Sequence, residues 1–365
     1  MFQIVKPDVN INFVGKRYIA ITCSILLIIA GIVTIILRGG LNMGIDFAGG
    51  AIIHIKFKAP VNIDDIRKAL KPVGIESSAI QQIGNKSDNE FLIRSNIQSE
   101  AIQSLSHQVQ DALAKEFGKG KAEILRVEMV GPKVGRDLRH KALLAIYYSL
   151  LFIAIYISGR FELKWVTSGS IAAILIIGLK LLEALGVGYV YLTIGALVLT
   201  LILSWFFQLS YALAAILALV HDVLVTVGVF ALLNKEFNLQ IVAALLTIIG
   251  YSLNDTIIVF DRIRENLRRE KKYNFKDLVN RSINQTLSRT ILTSGTTLIV
   301  LITLFLLGGT VIRDFSFALI IGVMVGTYSS IYIASPLLIL YEDFRVRGRE
   351  EARIRDRNLA KSKAS

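Results

Sequence analysis

The chain has 365 residues, is 53% hydrophobic, and carries a mean hydropathy of +0.58 and a formal net charge of +13. That apolar content excludes a soluble globular protein, and several runs approach the roughly 20 apolar residues that cross a hydrocarbon core about 30 Å thick, so the chain reads as a polytopic membrane protein. Its single cysteine, Cys23, excludes a disulfide within the chain whatever the redox state of the compartment.

In chain order, residues 1–17 form a short cytoplasmic N-terminus and residues 18–38 the first transmembrane helix. Lys16 and Arg17 precede the apolar run, and no small-x-small cleavage site stands before "RGGLNMG", so the run reads as an uncleaved signal anchor. Residues 39–141 have the pattern of a small extracytoplasmic domain. "GAIIHIKFKAP" alternates like a strand, and "NIDDIRKALKPVG" is a short amphipathic helix capped by Asn62. "SSAIQQIG" and "EFLIRS" read as strands, "SEAIQSLSHQVQDALAKEFG" as a helix, and "KAEILRVEMVG" as a closing strand. The order β-α-β-β-α-β predicts an α+β ferredoxin-like sandwich.

Residues 142–340 form a transmembrane helix bundle, with spans expected at 142–157, 166–182, 189–207, 213–233, 241–260, 291–307 and 315–340, eight counting the first. Lys16 and Arg17, Arg160 and Lys164, the basic connection from Arg262 to Arg289, and the basic tail 341–365 all fall on one side, the cytoplasm by the positive-inside rule. The positive charge is thereby mostly a matter of orientation. No nucleic-acid partner is expected from it, while anionic lipid and an acidic protein partner are both compatible.

A carboxylate in hydrocarbon costs about 2.5–3.5 kcal/mol on insertion scales, so polar residues inside spans are the candidate functional residues. In "IVAALLTIIGYSLNDTIIVFDRIREN" they are Ser252, Asn254 and Asp255, and helical spacing puts Tyr251, Ser252, Asp255 and Arg262 on one face. Asp222 stands near the middle of the preceding span, with His221 about 100° around the helix. On the following span Thr286, Arg289, Thr293 and Thr296 form a polar stripe. The depths match, so Asp255 and Arg289 are expected to pair, and protonation of Asp255 to release Arg289. The structural alternatives are polar residues that only glue helices together, an Arg289 that snorkels to the headgroups, and a His221 satisfied by one carbonyl or hydroxyl. Lys180 and Glu183 read as a local i,i+3 pair, and Gly322 and Gly326 as a close-packing motif.

Enzymatic readings fail on the residues. The settings "VHD" and "LND" differ from those of intramembrane aspartyl proteases, and "GYSL" lacks the small residue that follows an intramembrane nucleophilic serine. With no Walker motif, no Gly-rich dinucleotide turn and no Cys/His cluster at metal spacing, no enzyme activity, cofactor or metal is expected.

"MGIDFAGGAIIHI", "VEMVGPKVGRDL", "ALVHDVLVTVG", "IGYSLNDTIIVFDRIREN", "QTLSRTILTSGTTL" and "IGVMVGTYSSIYIASP", in this order from Asn42 to Pro336, resemble the SecF family. "DFAGG" supplies the family-motif residues Asp46, Phe47, Gly49 and Gly50, with Ala48 where threonine is common. The resemblance implies a partner of SecD in the auxiliary complex of bacterial protein export. Such a subunit lies in the inner membrane and uses the proton-motive force to assist an exported polypeptide through the Sec translocon channel. It also implies a proton pathway at Asp255 and Arg289, leaving the part of Asp222 and His221 open, with Ser252, Asn254 and Thr293 as supporting polar residues. One departure stands out. The family has six spans, whereas about forty mostly apolar residues, 166–209, intervene here and read as an added pair, a re-entrant hairpin or an adaptor for another subunit. A lipid or small-molecule exporter of the resistance-nodulation-division type and a non-transporting scaffold are the other functions compatible with this pattern.

Overall fold

The structure, a computed structural model, describes residues 9–74, 79–83, 88–95, 102–270 and 273–347. The basic tail beyond 347 and the first eight residues lie outside the described residues.

Strict alternation in β1 (Gly50–Phe57) buries Ala51, Ile53, Ile55 and Phe57 on one side of the sheet, and β3 (Glu90–Ser95) adds Phe91 and Ile93 to the same side. Against this side lie α3 (Ile63–Leu70), through Ile66, Ala69 and Leu70, and α4 (Ile102–Phe117), through Leu105, Val109 and Leu113. Asn62 caps α3 by accepting from the Asp64 N–H. With β2 (Ala79–Ile83) and β4 (Ala122–Val130) the sheet order is β2-β3-β1-β4, every neighbouring pair antiparallel. This is the connectivity of a ferredoxin-like sandwich, with both helices on one face. The opposite face, with Ile52, His54, Leu92 and Arg94, looks toward the membrane helices across a cleft of about 1310 Å³.

Eight helices among the described residues are long and apolar enough to cross a membrane. They are α1 (Arg17–Leu37), α5 (Pro132–Glu162), α6 (Trp165–Ala184), α7 (Tyr189–Phe206), α8 (Ser210–Leu232), α9 (Leu239–Arg269), α10 (Phe275–Leu307) and α11 (Gly309–Ser329). A short helix, α2 (Ile45–Ala48), precedes β1. Helix α11 continues through one π-helical turn, Ser330–Ala334, and on to Arg347. Pro336 explains the turn. It cannot donate to the carbonyl four residues earlier and its ring crowds that carbonyl, so the ladder widens just ahead of it.

Several spans overrun the boundaries set by their apolar runs, among them α5, which already begins at Pro132, and α9 and α10. At 31 and 33 residues, α9 and α10 reach about 46–50 Å, well beyond the hydrocarbon core. Their charged cytoplasmic ends stay helical because they pack on each other. The buried Asn266 amide on α9 donates to Ser282 Oγ at 2.8 Å and Gln285 Oε1 at 3.0 Å on α10.

The added pair, each helix long and apolar enough to cross, runs from one end of the bundle to the other and back. Lys164, entering α6, donates to the carbonyls of Phe207 and Gln208 just past α7, at 2.8 and 3.1 Å, and Arg160 there pairs with Asp261 at 2.6 Å. At the other end His140 near the start of α5 stacks on Tyr189 at the start of α7. Helices α6 and α7 pack on α5 and on each other, Ala172, Leu175 and Leu179 of α6 clustering with Tyr147 and Leu151 of α5, and otherwise face largely outward. Because the pair adds an even number of crossings, deleting 166–209 is expected to leave the connection from Arg262 to Arg289 cytoplasmic. A reporter fusion in that connection reading as external after the deletion would contradict the topology.

Candidate functional site

Helix α8 is the most enclosed span, and Asp222 at its centre is fully buried. Its carboxylate is held from three directions. Ser252 on α9 donates to Oδ2 at 2.5 Å, Ser329 at the end of α11 reaches the same oxygen at 2.8 Å, and His221 Nδ1 lies 2.9 Å from Oδ1. Adjacent side chains on a helix point about 100° apart, yet the imidazole of His221 folds back onto its neighbour and its Nε2 is left without a protein partner. The other side of this ring stacks near Tyr328, whose hydroxyl donates to the Ala20 carbonyl of α1 at 2.7 Å and accepts from Ser24 at 3.1 Å.

Asp255 lies one turn further along α9 than Ser252 and is 1% exposed. Ser294 on α10 and Thr327 on α11, 2.7 Å from each other, approach its Oδ2 at 3.2 and 3.4 Å, and its Oδ1 is buried without a protein partner. Helices α9 and α11 thus each serve both acids, α9 through Ser252 and Asp255 and α11 through Ser329 and Thr327. Only glycine at position 326 lets them approach so closely, since a Cβ there would sit 2.8 Å from the Cβ of Ser252; Gly322 packs on Ile248 in the same way.

The expected Asp255–Arg289 ion pair is not formed among the described residues. Arg289 lies on an exposed face of α10, and the bonds to the Asp255 carboxylate come instead from Ser294 and Thr327. Ser294, the α10 residue that reaches Asp255, stands about 7.5 Å along the helix axis from Arg289, so depth and angular position both differ from the expectation. Ser294 is five residues from Arg289, about 140° around the helix, and it is the Thr286, Thr290 and Ser294 side of α10 that is buried. The same rotation removes two supporting residues. Thr293 bonds only to carbonyls of its own helix, of Arg289 and Thr290, and Asn254 is exposed on the outer side of α9. Arg262 pairs with Glu265 at 2.9 Å and Tyr251 donates to Thr297 at 3.2 Å, so neither joins Asp255. Ser294, Thr327 and Ser329 were not anticipated as acid partners. The signal for Thr327 and Ser329 lay in "GTYSS", which spacing alone marked only as packing, and that for Ser294 in "ILTSGTT". Lys180 and Glu183 form their local pair at 2.9 Å.

The motif residues stand at the junction of the outer domain with the bundle. Phe47 of α2 is buried against Phe237, Ala142 and Val242. Asp46 Oδ2 accepts the Leu239 N–H at the start of α9 at 2.9 Å. Gly49 (φ 79°) and Gly50 (φ 124°) take backbone conformations that side chains resist, and a Cβ on Gly49 would press on Pro132 and the Val130 carbonyl. Nearby, Glu236 pairs with Arg94 of β3. Burial pushes the Glu236 carboxyl above its ordinary range; Arg94 opposes this, and the negative charges of Asp314 and Asp46 add to it.

Comparison with known proteins agrees with this geometry. The family description "Protein export membrane protein SecD/SecF, C-terminal" matches residues 108–179 and 170–343, a match whose two parts meet within α6, and "SecD/SecF GG Motif" matches residues 35–61. The chain is 39% identical to "Protein translocase subunit SecF" of Calditerrivibrio nitroreducens, over 94% of this chain and 98% of that one. It is 41% identical to the protein of the same name from Magnetococcus marinus, over 93% and 94%. The crystal structure of SecDF, a translocon-associated membrane protein from Thermus thermophilus, superposes with a TM-score of 0.68 at 32% identity. That alignment covers 93% of this chain, which spans 40% of the SecDF chain. With eight spans, a β-α-β-β-α-β outer domain, the glycine-glycine joint and relatives aligned over nearly their whole length, this chain belongs to the SecF family of protein translocase subunits.

Proposed function

We propose that this chain acts with SecD in the bacterial inner membrane and converts the proton-motive force into movement that assists exported polypeptides through the Sec translocon. The role is mechanical, with no enzymatic step. The observation that carries the proton-coupled reading is the pair of fully enclosed carboxylates, Asp222 and Asp255, each bound by hydroxyls from neighbouring helices. An ionised carboxylate makes charge-assisted hydrogen bonds about twice as strong as neutral ones. Protonating Asp255 weakens its hold on Ser294 and Thr327, and with it the contact that joins α9 to α10 and α11. A buried oxygen with no protein partner, as at Asp255 Oδ1, is where a proton is taken up without first breaking a bond. Arg289 lies outside this contact, on the exposed face of α10.

The energy is sufficient. One elementary charge crossing a potential of 100 mV is worth about 2.3 kcal/mol, which shifts a two-state equilibrium roughly fifty-fold. SecD is the partner that family membership supports, and the translocon channel and the moving polypeptide follow from that assembly; anionic lipid at the basic cytoplasmic face is a further contact. The test is translocation kinetics in inner-membrane vesicles holding this chain with SecD, with and without an imposed proton gradient. Rates that rise with the gradient only when both subunits are present support the reading. Rates indifferent to the gradient contradict it.

A further inference from the structure

The outer domain does not rest loosely on the bundle. Three contacts converge on the six-residue connection between α8 and α9 and on the first residue of α9. Phe237 is strapped on both sides by backbone bonds to the segment leading into the motif, its N–H donating to the Asn42 carbonyl at 2.8 Å and its carbonyl accepting from Gly44 at 2.9 Å. Arg94, from the open face of the sheet, pairs with Glu236. Asp46 accepts the first N–H of α9, one of the amides that a helix start leaves unpaired, while Asn238 serves Ile241 two residues on, at 3.2 Å. The fit is tight, since a Cβ on Gly44 would lie 2.5 Å from Glu236 Oε1. From Leu239 the helix runs unbroken to Ser252 and Asp255, so its first turn and its acid move as one rigid rod of about 24 Å.

We propose that Asp46 and the Arg94–Glu236 pair are positioning residues for translocation, forming a joint that ties the outer domain to the first turn of α9 so that the two move together. The inference rests on the reading of Asp255 as the proton-exchanging group. Each component of the joint is polar and lines the cleft between the sheet and the bundle, where an apolar contact alone would let the sheet slide. A carboxylate on a helix N-terminus and an ion pair fix direction as well as distance, which is what transmitting a displacement requires.

The experiment uses the full chain with SecD, in a Cys23→Ser background. Spin labels are placed at Lys115→Cys, exposed on α4, and at Val187→Cys, exposed in the outer turn between α6 and α7. The intact joint is expected to give one narrow distance distribution. Asp46→Ala with Glu236→Gln is expected to widen it at least twofold and to lower gradient-dependent translocation several-fold at unchanged accumulation. Reversing the pair, Arg94→Glu with Glu236→Arg, is expected to restore the narrow distribution that either reversal alone destroys. An unchanged distribution in the Asp46→Ala, Glu236→Gln protein, or a reversed pair no better than its single members, overturns the proposal. The proton-coupled reading fails by a separate measurement, normal gradient-driven translocation by Asp255→Asn with the joint intact.

Discussion

Asp255→Asn is expected to accumulate and assemble with SecD like the parent protein and to lose gradient-dependent translocation almost entirely. Asparagine keeps the shape of the side chain and an oxygen for Ser294 and Thr327 to donate to, but it cannot titrate. The folding cost is small for a reason specific to this site. Arg289 is exposed on α10, so removing the charge of Asp255 strands no buried cation, and the penalty of about 3–5 kcal/mol for breaking a buried ion pair does not arise. Immunoblotting and vesicle translocation in one strain separate the two quantities. If the asparagine protein translocates normally under a gradient, Asp255 is not the carrier and Asp222 is the next carboxylate to test. Asp222→Asn is expected to cost more in accumulation, because asparagine replaces one of two acceptor oxygens by an amide N–H₂ in a fully buried pocket where Ser252 and Ser329 both donate to one oxygen and His221 Nδ1 lies against the other.

Gly31→Val is expected to remove most of the protein from the membrane. Helices α1 and α8 cross where Gly31 meets Gly228, and a Cβ on Gly31 would lie 2.6 Å from the Cα of Gly228. The obstacle is backbone, so no side chain can turn aside and the helices must separate. Overpacking of this kind costs about 1–3 kcal/mol in a well-packed core and more when backbone must shift. Separation also pulls the Ala20 carbonyl and Ser24 away from Tyr328, the ring beside His221. Gly228→Ala is expected to be milder, since its Cβ would meet the Gly31 Cα at 3.3 Å rather than 2.6 Å. Steady-state accumulation and thermal melting of the two variants check the order; equal losses would show that the crossing gives way by a different movement.

Hydrophobic periodicity carried the architecture. Alternation in "GAIIHIKF" and "EFLIRS", with four-residue spacing of Leu105, Val109 and Leu113, leaves one way to bury both helices on one side of a four-stranded sheet. Apolar runs of membrane length located all eight candidate spans among the described residues. Asp222 and Asp255 were legible as candidates for the same reason: burying a carboxylate in hydrocarbon is costly, so each one inside a span marks a site.

Which residues meet those acids was decided by tertiary packing. Helical spacing says which side chains of one helix share a face; it says nothing about which face the next helix turns inward. At Asp255 a turn of about 100° is the difference between Thr293, which bonds only its own backbone, and Ser294, which reaches the acid. The same rotation exposes Arg289. The glycines set the other half of the answer, because Gly326 and Gly322 let α11 close on α9 and so bring Thr327 and Ser329 within reach of two acids that no linear pattern connects to them. The sequence by itself determined the solvent, the number of crossings, the fold of the outer domain and the identity of the acids, all consequences of apolar area and the cost of burying charge. The tertiary structure alone decided the partners of those acids and the joint at Asp46 and Glu236, since both depend on helix rotation and on contacts between residues far apart in the chain.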